Sequence, residues 1–289
     1  MPTQLDLKRR IRSVRNTQQI TRAMKFVAAA RLRRAQERAV SLRPYARALG
    51  AMVDSAVSRI PENAHPLLAR RDEQRVLLLV VSGERGLCGA FNANVLRRAL
   101  EFLRSRPSAD GTEVMALGRK GRDFLRKQHW TIAAEYPDIG SRLQSEQATE
   151  ITKAVVERYQ SGDVDAVYIL FNEFKSVLAQ VLRLEKLLPF EPEKPGAEAA
   201  GATLVDYLYE QPVGELLDLL LPRYIEAQIL RGLAESAAAE HAARMTAMDS
   251  ATNNARELID KLTLYMNKVR QAAITKEIIE VVSGAASAG

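Results

Sequence analysis

Two apolar seams with 4–3 spacing, one at each end of the chain, constrain the fold more than any other feature. The first runs Leu7, Val14, Thr21, Ala28, Ala35, Leu42, Leu49, Ala56, with a companion at Ile11, Gln18, Lys25, Leu32, Ala39, Ala46, Val53, Ile60. Thirteen of these sixteen positions are apolar, the exceptions being Gln18, Thr21 and Lys25. The second runs Tyr224, Arg231, Ala238, Met245, Thr252, Ile259, Met266, Ala273 beside Ala227, Ala234, His241, Met248, Ala255, Leu262, Val269, with twelve of fifteen apolar. Apolar residues every three to four positions over many turns make a helical stripe that must meet another stripe. Two such stripes on one chain pack most simply on each other, as an antiparallel coiled coil. Many seam residues are alanine, so the pair is thin and close, which agrees with an aromatic content of only 6%.

Local signals set the ends of these helices. Thr3 and Asp6 have the spacing of a capping box. Arg43-Pro44 is expected to bend or divide the first helix, because proline removes a ladder donor. Leu221-Pro222 is expected to open the second, with Pro222 in its first turn, after a separate short helix. After Ala273 the register breaks: Ile278, Ile279, Val281 and Val282 are apolar but off the seam, and Arg270, Gln271, Thr275 and Lys276 surround the break. In an antiparallel pair, this break and the polar gap at Gln18, Thr21 and Lys25 fall toward one tip. A frayed end or a surface offered to another molecule both fit.

The middle of the chain changes period. Val76–Val81 is a continuous apolar run, as in a central parallel strand. The pattern then gives a helix over 92–104, a strand at 113–117, a helix at 120–127, a weak strand at 130–134 and a helix over 146–160. Strands at 166–171 and 176–184 follow, joined by a short turn. That order argues an open Rossmann-like α/β sheet with helices on its faces. The expected fold class is therefore α/β with long terminal helices. Residues 1–60 form the N-terminal coiled-coil helix and 61–203 the α/β domain with its linker. Residues 204–289 form the C-terminal helix with the short helix before it.

Charge and motifs narrow the function. The net charge is +7, yet residues 1–60 hold 14 Lys/Arg against 3 Asp/Glu, so the whole positive excess lies on the first helix. The longest apolar run, Val76–Val81, is far short of the ~20 residues that span a bilayer, so the chain is not membrane-spanning. A single cysteine, Cys88, excludes an intramolecular disulfide framework and reads as a buried thiol. Gly83, Gly86 and Gly89 give G-x-x-G-x-x-G, which is neither the dinucleotide fingerprint nor the P-loop, and Glu84 sets negative charge where phosphate would sit. A tight strand-to-helix turn is the reading adopted. Gly118 to Gly121 reads as a solvated helix start. His65, His129 and His241 lack metal-ligand spacing, and His241 is a polar seam residue. No catalytic residue, cofactor site or metal site is proposed.

Five segments in order carry a resemblance to a known family: Ile20 to Ala35, Arg85 to Gly89, Asp206 to Glu210, Met248 to Ala255 and Ala273 to Ala286. They resemble the gamma subunits of F-type ATP synthases, over essentially the whole chain. The resemblance implies a central rotor shaft, not itself an enzyme. Such a shaft couples proton flow through the membrane c-ring to ATP synthesis on the alpha/beta ring, and regulates ATPase activity. It implies alpha, beta, epsilon and c-ring partners and no nucleic acid. It places the chain peripherally on the cytoplasmic face of a bacterial inner membrane. Carried over by position, Met24, Lys25, Arg270, Gln271 and Thr275 match stretches that face beta subunits. Tyr207, Tyr209 and Glu210 match a segment that touches the c-ring. The residues alone leave two other readings open: a basic coiled-coil nucleic-acid binder, motivated by the cationic first helix, and a small α/β enzyme, motivated by the glycine loop.

Overall fold

A computed structural model describes residues 3–58, 60–61, 65–106, 111–139, 145–191 and 213–287. Ten elements follow in chain order: α1 (Gln4–Val57), β1 (Val76–Val81), α2 (Phe91–Arg104), β2 (Thr112–Leu117), α3 (Arg119–Lys127), β3 (Ile132–Tyr136), α4 (Ser145–Gln160), β4 (Ala166–Phe174), β5 (Gln180–Leu188) and α5 (Val213–Ser287). They group into two compact units. One joins Met1–Ala28 to Arg244–Gly289, and the other is Ala29–Ala243.

The larger unit holds a five-stranded sheet in the order β3-β2-β1-β4-β5. The first four strands are parallel and β5 runs antiparallel to β4. Because side chains alternate across a strand, the two faces build two cores. Leu77, Leu79 and Val81 of β1, with Val167, Ile169 and Phe171 of β4, pack against α4, the start of α5 and the end of α1. Val76, Leu78 and Val80, with Val114 and Leu170, pack against Val95, Leu96, Ala99 and Leu103 of α2 and Leu125 of α3. All six β1 side chains are buried, as a central strand covered on both faces requires. Each fully buried Leu or Val contributes about 1.5–3 kcal/mol of transfer free energy.

β5 begins four residues later than the pattern suggests. Residues 176–179 instead close the hairpin: the amides of Lys175 and Ser176 donate to the Ala179 carbonyl at 3.2 and 3.0 Å, and the Ala179 amide donates to Ser176 Oγ at 3.1 Å. The serine that looked like strand is the turn's own hydrogen-bonding device.

Pro44 does not divide its helix, and Pro222 does not open its own. α1 is one helix of 54 residues with Pro44 inside it, and α5 is one helix of 75 residues with Pro222 inside it. Pro222 therefore does not start the last helix, which is already under way from Val213, and the short helix expected before it falls partly outside the described residues. An interior proline costs about 3 kcal/mol or more. Around Pro222, Leu217, Leu221, Ile225, Ile229 and Leu233 repeat every four residues and are all buried against the sheet. Around Pro44, Ala46, Leu49 and Val53 are buried. Packing on that scale outweighs one missing hydrogen bond.

Two glycines explain the closeness of the layers. An added Cβ at Gly118, whose φ is +114°, would lie 2.2 Å from the Ser82 carbonyl oxygen. At Gly232 it would lie 3.0 Å from Ile169, so α5 lies directly on β4. The segment from Gly118 to Gly121 is thus a packing device. Ser82 Oγ accepts the Gly121 amide at 2.8 Å and is itself buried.

Candidate functional site: the coiled-coil unit and the free end of the last helix

The smaller unit is built from the start of α1 and the end of α5. The capping box forms as its spacing demands. The Asp6 amide donates to Thr3 Oγ1 at 3.2 Å, and the Thr3 amide and hydroxyl donate to Asp6 Oδ2 at 3.1 and 2.6 Å. The Thr3 side-chain and backbone hydrogen bonds hold the Asp6 carboxyl below its ordinary range.

Two cross-helix bonds fix the direction of the pair. Lys25 Nζ donates to Asp249 Oδ1 at 2.6 Å, and Thr252 Oγ1 donates to Thr21 Oγ1 at 2.8 Å. Partner numbers rise as the first helix is read backward, so the helices are antiparallel. From Leu7 to Ile60 every one of the sixteen seam positions is buried or half-buried, Gln18, Thr21 and Lys25 included. The polar gap is thus closed inside the pair: Thr21 is only 9% exposed, and Lys25 already has a carboxylate partner.

On α5 the seam holds through Val269, which is half-buried. From Arg270 to Ser283 every side chain is exposed, including Ile274, Ile278, Ile279, Val281 and Val282 at 48–72%. At 1.5 Å per residue, the pairing 25-with-249 extends to put Gln4 level with about residue 270. The last stretch of α5 therefore runs beyond the start of α1, for roughly 25 Å. The register break in the sequence marks the loss of a helix partner.

The expected contact residues fall at two levels. Met24 and Lys25 are half-buried in the pair. Arg270, Gln271 and Thr275 are exposed on the free stretch, where Thr275 Oγ1 donates to the Gln271 carbonyl at 3.0 Å. The two groups are about 30 Å apart along the helix, so the structure does not bring them together. Tyr207, Tyr209 and Glu210 lie outside the described residues.

In the larger unit, the loop after β1 is occupied by the chain itself. The Gly83 amide donates to Asn92 Oδ1 at 2.9 Å, and an added Cβ there would lie 3.1 Å from the Glu240 carboxyl carbon. Glu84 Oε2 accepts the Arg119 amide at the start of α3, at 3.4 Å. Carboxylates thus stand at the carboxyl end of β1 and at a helix N-terminus, where an α/β sheet that binds phosphate would hold the anion. Cys88 is buried and accepts a hydrogen bond from Asn92 Nδ2 at 3.2 Å. His65 is buried, takes the Leu67 amide on Nδ1 at 3.1 Å, and lies 2.9 Å from Asp218 through Nε2. Among the described residues no three His, Cys, Asp or Glu side chains group as metal ligands. No helix among them is long and apolar enough to cross a membrane.

Sequence reasoning missed one feature altogether. Arg43 Nε and Nη2 fork onto Glu235 Oε1 and Oε2 at 2.6 and 2.9 Å, and Nη2 also donates to the Phe174 carbonyl at 2.8 Å. The Phe174 amide returns a bond to Glu235 Oε2 at 3.0 Å. The Glu235 hydrogen bond, with the carboxylate charge, raises the Arg43 pKa against the opposing effect of burial. The residues are 192 positions apart, and no local pattern pairs them. The one available signal was the pair of glutamates, Glu235 and Glu240, in an alanine-rich stretch.

Comparison with known proteins follows the same geometry. The ATP synthase family model matches residues 3–288. The ATP synthase gamma chain of Solibacter usitatus is 49% identical over all of both chains. That of Pelotomaculum thermopropionicum is 46% identical over 99% of each. A chain of the Euglena gracilis mitochondrial ATP synthase OSCP/F1/c-ring assembly superposes with a TM-score of 0.66 at 19% identity, over 97% of this chain and 93% of that one. A chain of the Tetrahymena thermophila mitochondrial ATP synthase central stalk and c-ring structure gives 0.62 at 22% identity, over 80% and 99%. These last two share the fold, with its long terminal helices and central α/β sheet. The chain belongs to the ATP synthase gamma chain family.

Proposed function

We propose that this chain works as the rotor shaft of an F-type ATP synthase by meeting the catalytic ring at two levels of its coiled-coil unit. A gamma chain is a stalk subunit of the complex and not its catalytic subunit, and its partners are the catalytic ring and the c-ring. The observation that carries the two-level reading is the unpartnered end of α5, where Ile274, Ile278, Ile279, Val281 and Val282 stand exposed on a helix that has left its seam. An apolar face of this kind is stable in water only as part of a larger assembly.

At the outer level, Arg270, Gln271 and Thr275 present a guanidinium, an amide and a hydroxyl to beta-subunit loops. At the inner level, Met24 and the Lys25–Asp249 pair present a thioether and a neutralised charge pair. Around an off-axis shaft, three chemically equivalent beta subunits meet different faces. Contacts that differ between their states shift the populations of those states, which is how rotation becomes unequal nucleotide affinity. The basic face of α1 guides and orients acidic partner loops more than it adds to affinity. Tyr207, Tyr209 and Glu210 face the c-ring, and the epsilon subunit binds at the foot. The chain sits peripherally on the cytoplasmic side of a bacterial inner membrane. The division into a helix at 1–60, an α/β domain at 61–203 and a helical segment at 204–289 describes the functional parts.

Reconstitution tests this directly. Alpha and beta subunits with the c-ring assembly, with and without this chain, are assayed for ATP-driven proton uptake into vesicles. Coupled uptake is expected only with the chain. Equal uptake in its absence rejects the rotor reading. Arg270→Ala with Gln271→Ala is expected to lower coupled uptake while leaving the melting temperature of the isolated chain unchanged; the reverse ranking would make these residues structural.

A further inference from the structure

Arg43, Glu235 and the end of β4 form a closed ring of directional bonds. Arg43 lies on α1, Glu235 on α5 and Phe174 at the last position of β4. Four hydrogen bonds of 2.6–3.0 Å join the three elements, two of them a guanidinium–carboxylate fork. The Glu235 side chain is 2% exposed and the Arg43 side chain 30%. A fork of this kind specifies angle as well as distance.

The surroundings make that directionality scarce. The neighbours of Glu235 on α5 are mostly small, Ala234, Ser236, Ala237, Ala238 and Ala239, all buried. Alanine lets helices approach closely but gives no side chain that resists sliding or rotation about the helix axis. One residue on, Pro44 removes an amide from the α1 ladder, so the helix is locally less braced where the fork attaches. Elsewhere, apart from Arg231, which donates to Glu185 of β5 and so ties α5 alone to the sheet edge, both helices touch the sheet mainly through aliphatic side chains such as Val53, Val57, Leu221 and Ile225. Such contacts are non-directional.

We infer that Arg43 is a positioning residue for torque transfer: through Glu235 and the Phe174 backbone it keys both long helices to the carboxyl end of β4, so that rotation of the sheet-bearing unit turns the helices without slip. This inference rests on the rotor reading above. It concerns how the larger unit grips its own helices and not how the ring is contacted.

Two conservative variants of the whole chain test it, each reconstituted with its partner subunits in vesicles. Arg43→Lys keeps the charge and loses the fork, and Glu235→Gln keeps the volume and an acceptor. Val155→Ala, on the core-facing side of α4 and away from the clasp, serves as a control for lost stability. ATP hydrolysis, ATP-driven proton uptake and the melting temperature are measured for each. Both clasp variants are expected to assemble and hydrolyse ATP while proton uptake per ATP falls about threefold or more, since single-point lysine contacts do not replace a bidentate fork. Val155→Ala is expected to lose melting temperature with its uptake ratio unchanged. A wild-type uptake ratio in either clasp variant, an equal loss in Val155→Ala, or failure of both clasp variants to assemble would each overturn the inference and leave Arg43 a structural residue. Absence of coupled uptake with the wild-type chain would instead reject the rotor reading itself.

Discussion

The last helix lives under three regimes, and the contrast separates what holds this protein together from what it offers to others. In the larger unit, residues 232–240 of α5 are buried all the way round, with Gly232 against β4 and Glu235 in its clasp. In the smaller unit, between Met248 and Val269, mainly the seam toward α1 is covered. Beyond Val269 no side chain through Ser283 is covered. One helix thus passes from a core element to half of a two-stranded coil to a single exposed strand of helix. Stability resides where the helix is surrounded. Function is expected where it is bare or only half-covered, because there side chains are available to a partner that changes with rotation.

Perturbations of the two units should differ in size and in reach. The largest effect is expected from Gly118→Val in the larger unit. Its φ of +114° excludes a branched side chain, and the new Cβ would collide with the Ser82 backbone. A loss of about 3 kcal/mol or more is expected in urea denaturation, and a loss under 1 kcal/mol would show that the layer can shift.

Next is Asp165→Asn. Asp165 is buried and accepts the Arg75 amide at 2.8 Å and Arg75 Nη2 at 2.9 Å. Burial alone would raise its pKa, but the hydrogen bonds and charge of Arg75 outweigh that and hold it below 3.8. A carboxyl with a lowered folded pKa stabilises fully above its unfolded value and loses that contribution as pH falls through the folded value. The variant is expected to lose roughly 2 kcal/mol at pH 7. Its stability should also fall less steeply than wild type below about pH 4. Parallel acid limbs for the two proteins would contradict the assignment.

Ile11→Ala in the smaller unit is expected to cost about 2 kcal/mol. Here the reach matters more than the size: hydrogen exchange should quicken in residues 7–28 and 244–269 and leave the sheet protected. Exchange that quickens equally in β1 would make the two units one cooperative block.

The smallest effect on stability belongs to the polar seam. Lys25→Ala removes an ion pair whose members are 37% and 48% exposed. Such a pair contributes about 0–1 kcal/mol, less in high salt. A melting temperature that drops well beyond this range would make Lys25 a pillar of the coil.

Much of the fold was legible in the chain because it depends on local periodicity. The sixteen seam positions are all buried or half-buried, and Thr3 and Asp6 close the capping box. Six consecutive aliphatics made β1 central. Gln18, Thr21 and Lys25 stood out correctly as polar seam residues, yet their partners did not, since Thr252 and Asp249 lie more than 220 residues away. Pro222 misled as a helix start, and Pro44 as a helix divider, because a local rule about ladder donors was applied without the packing that overrides it. In the case of Pro222, the four-residue repeat from Leu217 to Leu233 was present in the sequence and argued for continuity.

The sequence by itself therefore determined the helical ends, the α/β centre, the antiparallel seam and the place where that seam stops. Each follows from side-chain spacing along a backbone with few allowed geometries. Only the tertiary structure decided that both helices run through their prolines, that Thr21 meets Thr252 and Lys25 meets Asp249, that carboxylates fill the carboxyl end of β1, and that Arg43 meets Glu235. Those outcomes depend on which distant groups are brought within hydrogen-bond reach, and on the packing energy that offsets a local cost. Neither is encoded in the spacing of any single segment.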